Sequence, residues 1–125
     1  MARKEVIFMP GMEDRPFSSA IRAGDFIFVS GTVGRVDAQG NPLEGIEAQT
    51  SQCLENIKSA LQTAGASLSD VVKATVFLTN VANYAKMNEV YRSYFVKDLP
   101  TRSTIIAGLA MPDMLLEIEC IAYKP

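Results

Sequence analysis

The sequence predicts an α+β fold in which two helices pack on one face of a β-sheet. Three observations support this prediction. Apolar residues recur every three or four positions between residues 46 and 64, which is typical of an amphipathic helix. Short β-branched and aromatic runs precede and follow that segment. The 125 residues, 48% hydrophobic and 21% charged, have the size and composition of a single globular domain spanning 1–125.

Three apolar runs predict the first strands. The run KEVIFM at residues 4–9 is a strand that Pro10 and Gly11 end. The segment SSAIRAGDFIFVSG, residues 18–31, contains two short strands around a turn at residues 23–25. Residues 26–29 are apolar on both faces, a pattern typical of a central strand covered on both sides.

The first helix is predicted over residues 46–64. Glu47, Gln52, Glu55 and Lys58 lie on its other sides, and Gly65 follows as the residue that ends it. Its apolar stripe consists of Ile46, Thr50, Cys53, Leu54, Ile57, Leu61 and Ala64.

A strand at residues 71–79, VVKATVFLT, precedes the second predicted helix. Asn80 or Asn83 is expected to cap that helix. Pro100 then interrupts the chain, and two final strands follow at about residues 103–109 and 115–123. The expected inner face of the second helix consists of Tyr84, Met87, Tyr91, Tyr94 and Phe95.

Alternation along the last strand separates two faces. Leu116, Ile118, Cys120 and Ala122 are expected to meet the helices. The opposite face carries Leu115, Glu117, Glu119, Ile121 and Tyr123, and it is either a solvent-facing sheet surface or the lining of a cleft between subunits. Because the strands are apolar on both sides and two helices cover only one, we predict an oligomer.

Composition excludes several classes of function. The net charge of −2 and the absence of a basic stripe argue against nucleic-acid binding. No apolar run is long enough to span a membrane, and the apolar stretch near the N-terminus is too short for a secretion signal. These features favour a cytoplasmic protein.

Histidine is absent, so histidine-based nucleophile systems and histidine metal ligands are impossible. The two cysteines, Cys53 and Cys120, form no C-x-x-C pattern and are expected to pack in the core or an interface. We therefore expect no metal site. Any chemistry must use carboxylates, arginine, hydroxyls, backbone groups and water.

Arg102 has two interpretations from the residues alone. It forms a structural salt bridge at the start of a strand, or its planar guanidinium binds a substrate carboxylate through two hydrogen bonds. Residues alone do not decide between the two.

Four blocks in order resemble the RidA family, also called YjgF or L-PSP proteins. They are FIFVSGTVG, the segment from IEAQT to NEVY, PTRST and LLEIECIA, and the resemblance extends over about residues 6–123. It implies a chorismate-mutase-like fold and a homotrimer whose sheets form a central barrel with three intersubunit clefts. It also implies hydrolysis of enamines and imines, such as 2-aminoacrylate and 2-iminopropanoate, to 2-oxo acids and ammonia without a cofactor.

The resemblance assigns catalytic roles to two residues, as in a 2-iminobutanoate/2-iminopropanoate deaminase. Arg102 matches the arginine that binds the substrate carboxylate, and Glu117 matches the glutamate that orients the hydrolytic water. The expected substrate-binding set consists of Phe17, Ser30, Gly31, Asn88, Arg102 and Thr104.

Two departures from the family pattern affect the expected substrate. Phe17 stands where many members have a tyrosine, and GLAMPD at residues 108–113 is similar to the RutC branch, which processes 3-aminoacrylate. Deamination of 3-aminoacrylate is therefore one alternative. A non-catalytic module that binds small carboxylates is another, and a ribonuclease, a label historically attached to the family, is a third that the acidic balance disfavours.

Overall fold

A computed structural model describes residues 4–125, which form one six-stranded sheet with two α-helices on one side. The sheet order is β1-β2-β3-β6-β4-β5; β4 and β5 are parallel, and all other neighbours are antiparallel. The α+β prediction is confirmed. In chain order, the elements are β1 (Lys4–Ile7), β2 (Ala20–Ala23), β3 (Phe26–Thr32), α1 (Ile46–Thr63), β4 (Val71–Leu78), α2 (Tyr84–Tyr94), β5 (Thr101–Ile106) and β6 (Leu116–Tyr123).

The boundaries of β5 differ from the prediction. The strand begins at Thr101 and ends at Ile106, whereas residues 103–109 were expected. The Thr101 hydroxyl donates a hydrogen bond to the Val72 carbonyl at 3.1 Å, which joins the start of β5 to β4. Arg102 therefore lies inside the strand, so its side-chain direction is fixed by the alternation of the sheet.

The core lies between the sheet and the helices. As predicted, Leu116, Ile118, Cys120 and Ala122 of β6 face the helices, and each is at most 4% exposed. Cys53 of α1 is buried in the same core. The helix α1 ends where expected, since Gly65 has a φ of 86°, a left-handed conformation that glycine adopts without strain.

The opposite face of the sheet is open. In β3, Ile27 and Val29 are buried under the helices, but Phe26 and Phe28 are 43% and 45% exposed. Tyr123 packs against Phe26 on this face, with ring centroids 5.2 Å apart. One chain covers only one face of β3, because both helices lie on one side, and coverage of the other face by further copies stays a prediction.

The helix α2 departs from its predicted stripe at one end. Met87 and Tyr91 are buried, and Phe95 just beyond the helix is buried too, but Tyr84 is 43% exposed. Assigning Tyr84 to the core was wrong, because the first turn of α2 lies at the edge of the sheet beside β5. Asn80 does act as a cap, but for a short 3-10 turn at residues 81–83 that leads into α2.

Within residues 4–125, no helix is long and apolar enough to cross a membrane.

The buried side chain of Gln49 in α1 forms hydrogen bonds with the connector between β5 and β6, residues 107–115. The Gln49 side chain is 3% exposed, and its amide nitrogen donates to the carbonyls of Leu43 and Asp113 at 3.0 and 2.9 Å. Its oxygen accepts from the Leu115 backbone N–H at 3.0 Å. One side chain thus satisfies two backbone groups at the entrance to β6 and one in the segment before α1.

Replacing this residue tests how much the connector depends on it. We expect Gln49→Ala to lower the free energy of unfolding by roughly 1–3 kcal/mol, because the change leaves partly buried backbone groups without their partner. Urea denaturation followed by circular dichroism, at fixed protein concentration, measures the loss. Gln52→Ala is the control, since that amide donates to Asn56 one turn along the same helix. Equal losses in the two variants would contradict the assignment.

Candidate functional site

The expected site residues lie in two clusters on opposite faces of the sheet. The arginine cluster consists of Arg102, Tyr84, Asn88 and Tyr91 and lies on the helix-covered side, at the edge formed by β5. The glutamate cluster consists of Gly31, Glu117 and Glu119 and lies on the open side.

Strand register establishes this separation. Arg102 pairs with Ala74 of β4, which pairs in turn with Cys120 of β6, and both of these partners are buried beneath the helices. Glu117 pairs with Phe77 and belongs to the opposite set of alternating residues. The two residues expected to carry catalysis therefore do not face each other within one chain.

Aromatic rings of α2 hold the guanidinium of Arg102 in place. Its Cζ lies 4.7 Å from the ring centroid of Tyr91 and 5.8 Å from that of Tyr84. Its Nη2 donates a hydrogen bond to the Tyr84 hydroxyl at 3.3 Å. Among residues 4–125, no carboxylate forms an ion pair with Arg102. The structural salt bridge considered for this arginine is therefore absent from the described chain.

A cavity of about 560 Å³ adjoins the arginine cluster. The Asn88 Oδ1 atom and the Tyr91 hydroxyl are buried there without a hydrogen-bond partner in the part of the chain that the structure describes. Buried polar atoms of this kind are usually paired, so a bound polar group or water would satisfy them. The lining consists of Ala85, Asn88, Glu89, Tyr91, Arg92, Leu99, Pro100 and Arg102.

Thr104 is two residues beyond Arg102 and shares its face of β5, but it does not line this cavity. The family resemblance places Thr104 in the substrate-binding set. No contact within residues 4–125 tests that role, so it stays a prediction.

Tyr84, the first residue of α2, interacts electrostatically with two other members of the arginine cluster. A side-chain interaction with Asn88, followed by the positive charge of Arg102, lowers the pKa of the Tyr84 phenol. Both contacts stabilise the phenolate form relative to the phenol, and so they make the hydroxyl a better hydrogen-bond donor.

In the glutamate cluster, Gly31 leaves room for the Glu117 side chain. A β-carbon at position 31 would overlap the Glu117 carboxylate, so any larger residue there must displace it. Burial raises the pKa of Glu117, and the negative charge of Glu119 on the same strand face raises it further. A raised pKa makes the Glu117 carboxylate a better proton acceptor than a carboxylate exposed to solvent.

Phe17 and Ser30 line a separate hollow of about 370 Å³ on the open side, together with Glu119, Lys73 and other residues. Phe17 is half exposed, whereas the Ser30 hydroxyl donates to the Ser18 carbonyl at 2.6 Å. The structure thus places Phe17 and Ser30 on the side of Glu117, and Asn88 on the side of Arg102. Within residues 4–125, no group of three or more cysteine, aspartate or glutamate residues could hold a metal ion.

Sequence reasoning missed the role of two tyrosines. Tyr84 and Tyr91 were assigned to the core, yet both contact Arg102. Residues 84, 88 and 91 lie on one helix face, and the polar Asn88 within an otherwise aromatic stripe was the available signal.

Comparisons with known proteins place this geometry in context. A family model described as Endoribonuclease L-PSP matches residues 12–124. A RutC family protein of Pyrococcus horikoshii is 45% identical over 124 residues, which cover 97% of this chain and 98% of that protein. Reactive Intermediate Deaminase A of Arabidopsis thaliana, a chloroplastic protein, is 39% identical over 108 residues, covering 86% of this chain and 58% of that protein.

Among solved structures, a Yersinia pestis protein of unknown function from the Rid family superposes with a TM-score of 0.88 at 35% identity. The match covers 97% of this chain and 99% of that one. The shared fold therefore extends over nearly the whole chain.

The raised pKa of Glu117 predicts a pH-dependent stability. The folded state binds this proton more tightly than the unfolded state, so ionisation of Glu117 costs stability as the pH rises above its usual value of 4.5. We expect Glu117→Gln to be more stable than the wild type at pH 7, with the advantage shrinking as the pH falls through the raised pKa of Glu117 and absent below 4.5. The urea midpoints of the wild type and of Glu117→Gln, measured across this pH range, give the difference in stability. The exposed Glu44→Gln variant is the control, and a pH-independent difference for Glu117→Gln would contradict the prediction.

Proposed function

The chain belongs to the RidA/YjgF family of L-PSP proteins, and on this basis we propose that it is a hydrolytic deaminase of reactive enamines and imines. The observation that carries the proposal is Arg102, held against two phenol rings beside a cavity and without an ion-pair partner in residues 4–125. A guanidinium in this setting suits a small carboxylate. The name of the Arabidopsis relative supports the same reaction class.

The proposed substrates are 2-iminopropanoate and 2-iminobutanoate, formed from their enamine tautomers. Arg102 binds the carboxylate and so fixes the neighbouring imine carbon. Glu117 takes a proton from water as the water oxygen bonds to that carbon and the C=N π electron pair moves onto nitrogen, and Glu117 then returns the proton to that nitrogen. The resulting carbinolamine loses ammonia and leaves a 2-oxo acid. One water is consumed for each ammonia released, and no cofactor is required.

This mechanism needs two copies of the chain at each site. Since Arg102 and Glu117 lie on opposite faces of one sheet, we propose that Arg102 of one copy works with Glu117 of its neighbour. The exposed aromatic residues Phe26, Phe28 and Tyr123 on the open face support burial against other copies. The family resemblance makes a homotrimer with three intersubunit clefts the proposed assembly.

Deamination of 3-aminoacrylate is the second candidate. The identity to the RutC family protein favours it, as does the GLAMPD segment in the connector. An ion pair between Arg35 and Asp113 at 2.9 Å and the Gln49 hydrogen bonds hold this connector in a defined position. In 3-aminoacrylate the carbon that reacts lies one bond farther from the carboxylate. Comparing turnover of the two aminoacrylates distinguishes the candidates.

Substitutions at Arg102 test the proposed reaction. We expect Arg102→Ala to lower kcat/KM by roughly 10²-fold or more, because the substrate carboxylate loses its charged partner. We expect Arg102→Lys to recover only part of the activity, since an ammonium group does not bind a carboxylate through two parallel hydrogen bonds. Ammonia and pyruvate released from 2-aminoacrylate, generated by a serine dehydratase, give the rates. Wild-type activity in Arg102→Ala would refute the role.

Mixing two inactive variants tests the shared site. Arg102→Ala and Glu117→Gln, co-expressed with different tags and purified as mixed trimers, should regain activity in one of the three sites of each trimer, about a third of all sites. In that fraction, each cleft of a cyclic assembly receives one intact residue from each side. Mixed assemblies as inactive as either parent would contradict the sharing of residues between copies.

A further inference from the structure

We propose that the Tyr84 hydroxyl is a second hydrogen-bond donor to the substrate carboxylate, acting beside Arg102. The inference rests on the deaminase function proposed above. It assigns a substrate-binding role to a residue that sequence analysis placed in the core.

The direction of the hydrogen bond between Arg102 and Tyr84 supports this role. A guanidinium only donates, so Tyr84 accepts from Nη2 at 3.3 Å through its oxygen lone pair. The phenolic proton remains available to another acceptor. An anion that binds the remaining N–H groups of Arg102 would lie next to that proton, and each carboxylate oxygen could then receive its own donor.

The three tyrosines of α2 differ in how accessible their hydroxyls are. Tyr91 is 4% exposed, and its buried hydroxyl has no partner in residues 4–125. The Tyr94 hydroxyl is engaged with Ser51 at 2.8 Å and with Glu55 at 2.9 Å. Tyr84 is 43% exposed and its hydroxyl contacts Arg102 directly, so among the three it is the residue that both adjoins the guanidinium and is open to solvent.

Asn88 lies one helical turn after Tyr84 on the same face of α2. A side-chain interaction with Asn88, and then the positive charge of Arg102, lowers the pKa of the Tyr84 phenol. A phenol with a lowered pKa is a stronger hydrogen-bond donor, which supports the proposed role beside the geometry of Arg102.

A purely structural role is the competing explanation. In that case Tyr84 only holds the guanidinium of Arg102 in position, and losing the hydroxyl would weaken the binding of charged and uncharged ligands equally. A donor to the carboxylate predicts selectivity instead, because hydrogen bonds to charged acceptors are stronger than those to neutral ones. A charged ligand and its uncharged analogue therefore separate the two roles.

The experiment compares Tyr84→Phe with the matched control Tyr94→Phe on the same helix. Calorimetry measures the Kd of pyruvate, the product of the proposed reaction, and of pyruvamide, its uncharged analogue. We expect Tyr84→Phe to raise the Kd of pyruvate by about tenfold and the KM for 2-aminoacrylate similarly. The Kd of pyruvamide and kcat should change by less than about threefold, and Tyr94→Phe should leave all four constants near wild type. Circular dichroism and the Tm check that both variants fold.

Each other outcome has a distinct meaning. Wild-type affinity for pyruvate in Tyr84→Phe overturns the inference and leaves the deaminase proposal standing. Equal weakening of pyruvate and pyruvamide also overturns it and makes Tyr84 a structural brace. A wild-type protein that binds pyruvate selectively through Tyr84 but releases no ammonia from either aminoacrylate refutes the deaminase function alone. A wild-type protein that neither binds pyruvate nor turns over refutes both.

Discussion

The site depends on one constraint, which is that both helices of the chain cover the same face of its sheet. Side chains alternate along each strand, so covering one face assigns every strand residue either to a dry interior or to an open surface. In β6 this rule places Ile118 and Cys120 in the core and leaves Glu117 and Glu119 on the open side. In β5 it directs Arg102 beneath α2. The separation of the cation from the carboxylates follows from the layer arrangement.

The arginine cluster and the glutamate cluster are each positioned by a different kind of packing. Aromatic rings of α2 hold Arg102, and the order β4–α2–β5 in the chain brings them over it. A missing side chain at Gly31 gives Glu117 its space. Keeping a partly buried carboxylate close to Glu119 costs stability, which the rest of the fold must offset. The hydrogen bonds of Gln49, just before β6, are one source of that stability.

The sequence predicted what depends on local pattern and missed what depends on where elements meet. The period of α1, its end at Gly65 and the two faces of β6 followed from spacing alone. Arg102 and Glu117 were singled out from the sequence, but the pattern did not indicate that they lie on opposite faces. Their relation depends on the register of β4, which lies between them. Tyr84 was misassigned because a helical stripe is indistinguishable from core until the edge of the sheet is known.

The strand register has a further consequence, for insertions and deletions. Removing or adding one residue within β5 would send the side chain of Arg102 to the opposite face, however little the backbone changed. The same holds for Glu117 in β6. The face on which each of these two side chains lies is thus set by its position along the strand, since alternate residues face opposite sides. A substitution changes the side chain at one position and leaves the faces of its neighbours as they were. A single-codon deletion in either strand would move the side chain of Arg102 or Glu117 to the other face of the sheet in one step.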